Sequence, residues 1–154
     1  MIKYSNKHNI AFNRFIAVWH IFLITTVFVF FSGCKKDGNT PECGYVNYSI
    51  YTSEPQFLSL NAVSGWIYIG GGCKGIIVYR KSQDEFLAFE RACTYDADNS
   101  CPGVTVEGNN INAVDTCCGS KFQIFDGNVT KGPASRPLQQ YRTSFDGSVL
   151  EVFN

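Results

Sequence analysis

The sequence predicts an all-β domain, an antiparallel sandwich or barrel, behind a segment that directs export. Two observations carry the fold class. After residue 45, short runs rich in β-branched and aromatic residues recur about every 8–12 residues, with turn residues between them. Over the same stretch no apolar period of a helix is sustained, so helices are not expected. A third observation bears on how so small a domain holds together: there are seven cysteines among 154 residues.

The elements follow in chain order. Residues 1–14 are polar and basic, and residues 15–31 (FIAVWHIFLITTVFVFF) are apolar. Phe31-Ser32-Gly33-Cys34 then sets small residues directly before a cysteine. This ending resembles a bacterial lipobox, with Phe31 where that motif prefers Leu. The resemblance implies that residues 1–33 are a signal peptide and that Cys34 is lipidated. The apolar run is about the minimum for a membrane span, so a retained helix is the competing reading. Residues 34–42 read as a polar tether, and residues 43–154 as the β domain.

Within that domain, residues 46–51 alternate, with Val46, Tyr48 and Ile50 on one face. Residues 57–60 (FLSL), 66–69 (WIYI) and 75–80 (GIIVYR) read as the next strands, with Gly70-Gly71-Gly72 as punctuation. Ile76-Ile77-Val78 does not alternate, which predicts a central strand buried on both faces. Residues 85–91 (EFLAFER) suit one helical turn or a strand, and their neighbours and aromatic content favour the strand. Residues 105–107, 111–114 and 121–125 continue the pattern, and Asp126-Gly127-Asn128 is a turn. Residues 138–143 and 149–153 flank Phe145-Asp146-Gly147-Ser148, a hairpin signal.

Composition excludes several function classes. The chain carries 13 basic and 13 acidic residues; Lys3, Lys7 and Arg14 lie in the leading segment, which has no acid, so 10 basic face 13 acidic in the rest. Without a basic stripe, nucleic acid is not an expected partner. Both histidines, His8 and His20, fall in the same leading segment. The β domain therefore has no imidazole for Ser-His-Asp or Cys-His catalysis, nor for metal ligation. No paired carboxylates stand at a telling spacing either, so an enzyme is not expected. Lipidation would consume Cys34 and leave Cys43, Cys73, Cys93, Cys101, Cys117 and Cys118, an even number suited to an oxidising compartment. Every pairing among those six is open at this point.

From Cys93 to Tyr141 the chain carries a family resemblance. CTYDADNSC is followed by a strand pair and then by DTCCGSKFQIFDGNVTKGPASRPLQQY. Gly119-Ser120, Phe122, Phe125-Asp126-Gly127, Gly132-Pro133-Ala134, Arg136-Pro137-Leu138 and Tyr141 stand in the order and spacing of the cluster-binding half of a Rieske domain. The chain thus resembles the Rieske iron–sulfur family. That resemblance implies a Rieske-like antiparallel sandwich or barrel with a small disulfide-stapled loop subdomain, the cluster-loop region covering about residues 92–125.

The family holds a [2Fe–2S] cluster with two cysteines and two histidines. Carried over position by position, those ligands fall on Cys93, Tyr95, Asp115 and Cys118, of which Cys93 alone is kept. The ordinary Rieske cluster is excluded by composition. Some members of the family join an extra cysteine from each loop in a disulfide beside the cluster. The resemblance so implies Cys101–Cys117, and then Cys93–Cys118 across the space vacated by iron. The swapped arrangement, Cys93–Cys117 with Cys101–Cys118, competes with it, and Cys43 and Cys73 remain for each other. Alternatively, Cys93, Cys101, Cys117 and Cys118 as four thiolates suit zinc or an iron–sulfur cluster. A working dithiol switch has no C-x-x-C motif behind it. Tyr95, Asp96, Asp98 and Asp115 match no calcium motif and read as a solvated loop.

The expected protein is a non-catalytic interaction or structural module without a cofactor. It is anchored to a bacterial envelope membrane, the outer rather than the inner, through the lipid on Cys34, and meets an envelope protein partner. The alternative is an electron-transfer or metal-binding protein holding [2Fe–2S] or zinc through rearranged cysteines.

Overall fold

The computed structural model describes residues 43–97 and 100–154; the leading segment, Cys34, the tether and Asp98 lie outside the described residues. Among these residues, ten strands form two antiparallel sheets, as the spacing of apolar runs and turns predicts. The larger sheet has the order β1 (Asn47–Tyr51), β10 (Val149–Phe153), β9 (Gln140–Phe145), β4 (Phe86–Glu90), β3 (Ile76–Arg80), β2 (Trp66–Ile69). The smaller one has the order β5 (Thr105–Val106), β6 (Asn112–Val114), β7 (Lys121–Gln123), β8 (Val129–Lys131).

The non-alternating run in β3 is explained by where it sits. It pairs with β2 on one side and β4 on the other, and all five of its residues are buried. Ile76 and Val78 enter one core, with Ile50, Leu60, Ile69, Phe86, Ala88, Leu150 and Val152. Ile77 and Tyr79 enter a second core, with Phe89, Val104, Ala113, Phe122, Ile124 and Leu138. Each large apolar side chain so buried contributes about 1.5–3 kcal/mol. The second core joins the two sheets and so sets the smaller sheet's loops beside the end of β4.

Two elements differ from expectation. Residues 57–60 are not a strand but part of a 3₁₀ helix, Pro55–Asn61. Pro55 supplies a preset φ and no N–H at the first position, where neither is a cost. The N–H of Phe57 donates to the carbonyl of Glu54 at 2.9 Å. Phe57 and Leu60, three residues apart, fall on one side of a three-residue turn and are both buried. The buried Arg80 ties this helix down, donating Nη1–H to the Leu60 carbonyl at 2.8 Å while lying 5.0 Å from the Phe86 ring centre. Strand β8 was not expected, because its VTK sequence has two exposed residues out of three and no apolar alternation to read.

Candidate functional site

Three loops meet at one end of the smaller sheet. Residues 93–96 follow β4, residues 115–120 join β6 to β7, and residues 132–136 follow β8. Side chains lock them together. The Thr94 hydroxyl donates to the Arg136 carbonyl at 2.7 Å, and the buried Ser120 hydroxyl accepts the Ala134 N–H at 2.9 Å.

Asp115 organises the middle loop. Its buried carboxylate takes the N–H of Cys117 at 2.7 Å and of Cys118 at 3.0 Å, both on Oδ1. Its backbone carbonyl takes the N–H of Gly119 at 2.8 Å, and Gly119 has φ +76, the left-handed region glycine tolerates. Burial works to raise the Asp115 pKa, but the N–H groups of Cys118 and Cys117, helped by the Cys93 and Cys118 side chains, hold it below the usual carboxylate value.

The Cys118 thiol donates to the Ser120 hydroxyl at 3.0 Å, and its sulfur also takes the Ser120 N–H at 3.5 Å. It faces Cys93, Sγ to Sγ, at 3.6 Å. Burial pushes the Cys93 thiol up to about 12; the N–H of Tyr95 opposes this, and the neighbouring Cys118 and Asp115 add to it. The two sulfurs and an Asp115 oxygen all lie within 4.8 Å of one another. Three of the four carried-over ligand positions are therefore brought together. The fourth, Tyr95, is largely exposed and lines a shallow open cleft with Asp96, Cys117, Cys118 and Pro133.

The structure joins Cys43 to Cys73, with Cα atoms 4.8 Å apart, and Cys101 to Cys117, with Cα atoms 6.3 Å apart. Cys93 and Cys118 stand as free thiols rather than as the expected third bond. Their separation of 3.6 Å is well beyond the about 2.05 Å of a disulfide, and Ser120 holds the Cys118 sulfur where it is. The four-thiolate set also changes, since Cys101 and Cys117 are bonded to each other and leave two thiols to donate. Among the described residues Asp115 groups with the Cys93 and Cys118 sulfurs and not with Asp96, so the oxygen-rich set is not assembled.

A second cysteine–acid cluster was missed by the sequence reading. Glu90, at the end of β4, is fully buried. Its Oε1 accepts the N–H of Lys74 and of Ala92, both at 2.9 Å. Its Oε2 accepts the N–H of Cys73 at 2.9 Å and the Tyr141 hydroxyl at 2.8 Å. A Cβ on Gly72 would lie 2.0 Å from Oε2, so only glycine fits there. Burial, then the bond to Glu90, raises the Tyr141 pKa. The available signal was phase: Phe86, Ala88 and Glu90 alternate together, which sends a charge inward with the core side chains.

With that geometry in hand, one solved structure is informative. The cyanobacterial plasma membrane Rieske protein PetC3 from Synechocystis PCC 6803 matches with a TM-score of 0.51 and 25% sequence identity, covering 68% of this chain and 97% of that one. The fold is Rieske-like. No protein-family model and no curated protein matches the chain.

The donor chemistry of this Rieske-like domain does not fit the cluster that such domains hold. Two thiols and one carboxylate converge, and the β domain contains no imidazole. A centre with two cysteines on one iron and two histidines on the other cannot be assembled from them.

Proposed function

We propose that this chain is a lipid-anchored envelope protein whose Rieske-like domain is a non-catalytic interaction or structural module, working without the two-iron cluster. The observation that supports this reading is Asp115. At the position of a cluster cysteine it closes its own loop, by taking the N–H groups of Cys117 and Cys118. The residue serves the turn, and the Cys101–Cys117 bond staples that turn to the loop before it. Attachment rests on Cys34 and the lipobox-like segment before it; no helix among the described residues is long and apolar enough to cross a membrane. The exposed tip around Tyr95 and its cleft is the surface we assign to an envelope protein partner.

The test is a visible spectrum and metal analysis of the full chain, expressed with its leader and purified in detergent under nitrogen. We expect no iron–sulfur absorption and far less than one iron per chain; one [2Fe–2S] cluster per chain would overturn the reading. In the same host, Cys34→Ala should leave an unprocessed or released chain. Unchanged acylation and membrane retention would remove the anchor from the proposal.

A further inference from the structure

We propose that Cys93, Cys118 and Asp115 bind one thiophilic divalent cation of the zinc class, in the space where related domains hold two irons. The distances carry this. Two thiolates on one tetrahedral zinc, at about 2.3 Å each, are held about 3.8 Å apart. The Cys93 and Cys118 sulfurs are 3.6 Å apart, close to that separation without any movement of the chain. A disulfide would need them to close by about 1.5 Å.

The surroundings are those of oriented ligands. Asp115 is fixed through Oδ1 by two backbone N–H groups, and one of its carboxylate oxygens lies within the 4.8 Å cluster as the third donor. The Ser120 N–H points at the Cys118 sulfur, the kind of outer bond that holds a metal-bound thiolate in place. Cys118 also lines the open cleft beside Tyr95, so solvent can supply a fourth ligand. Two sulfurs and one carboxylate suit zinc better than a hard cation that prefers all-oxygen sites. Binding sends the two thiol protons to solvent and leaves every oxidation state unchanged. The two buried carboxylates among the described residues, Glu90 and Asp115, also divide cleanly, because both Glu90 oxygens are already taken.

This inference reaches beyond the cluster-less module and fails separately from it. Iron–sulfur absorption would end both, whereas protein free of iron and unable to take up zinc would end this one alone. The experiment uses the full chain in detergent, isolated under nitrogen, with Zn²⁺ and Co²⁺ as probes. We expect one zinc per chain, with two thiols that resist alkylation until a chelator is added. Replacement by Co²⁺ should give the visible bands of tetrahedral cobalt with sulfur-to-metal charge transfer. Asp115→Asn keeps the Oδ1 acceptor, so it should fold, and it should weaken zinc binding by at least about 10-fold, the least that loss of even an outer partner typically costs. Cys118→Ser should weaken it more and diminish the charge-transfer band. A Cys93–Cys118 disulfide in peptide maps of the anaerobic protein would overturn the proposal. So would free thiols with no cobalt spectrum, or metal uptake indifferent to both substitutions. If Cys118→Ser does not fold, Asp115→Asn and the cobalt spectrum of the unaltered chain decide.

Discussion

Cys43, Cys73 and Glu90 in one place, and Cys93, Cys118 and Asp115 in another, are similar residue types gathered to the same 4.8 Å, yet the first pair of sulfurs is bonded and the second is not. The difference lies in how many lone pairs are already used. Both oxygens of Glu90 are spent on four donors, and Gly72 packs so closely that a Cβ would collide with Oε2. In Asp115 the two N–H donors converge on a single oxygen, and the nearby sulfurs remain thiols beside an open cleft. A cysteine–acid cluster is a staple where backbone donors saturate the acid, and a candidate site where they stop short.

Removing Glu90 should produce the largest effect. Glu90→Ala strands three backbone N–H groups and the Tyr141 hydroxyl in a core position, and should cost about 3–5 kcal/mol in denaturant unfolding. An effect no larger than that of Asp115→Asn would break the contrast between the clusters. Next come the staples. The chain-entropy model gives about 3.5 kcal/mol for the bond spanning 30 residues, Cys43–Cys73, and about 3 kcal/mol for the one spanning 16, Cys101–Cys117. Paired Cys→Ala variants should rank in that order of lost stability.

Tyr141→Phe removes one of the four donors to Glu90 and should cost about 1–3 kcal/mol at neutral pH. It should also change the alkaline limb. The folded Tyr141 pKa is raised, so its contribution is complete below the ordinary tyrosine value of about 10 and is lost as pH rises beyond it. The stability curve of the variant should lack that fall. In the metal-free protein Asp115→Asn should be the mildest change, about 1 kcal/mol, because an amide oxygen still accepts the Cys117 and Cys118 N–H groups. Its signature is acidic. The folded Asp115 pKa is lowered, so its contribution is present above about pH 4 and fades as pH falls, a slope absent from the variant. Unfolding midpoints measured across pH 2–11, a range of about nine units, check both slopes.

Features that are periodic or ordered along the chain could be read from the residues alone. The non-alternating Ile76-Ile77-Val78 could be placed in a central strand because burial on both faces leaves no polar position. Residues 66–69 and 149–153 are legible to the residue, and the run of motifs from Cys93 to Tyr141 points to the Rieske-like fold by residue order alone. Residues 57–60 were misread because FLSL satisfies a strand and a 3₁₀ turn alike, and packing over the first core decided between them. Glu90 showed its inward phase but not its partners, which arrive from Cys73, Lys74 and Tyr141, the last 51 residues away. Only the tertiary structure could decide the state of Cys93 and Cys118. Whether two thiols bond turns on about 1.5 Å, and that margin is set by the Asp115 turn and the hold of Ser120 on one sulfur, neither of which is a property of spacing along the chain.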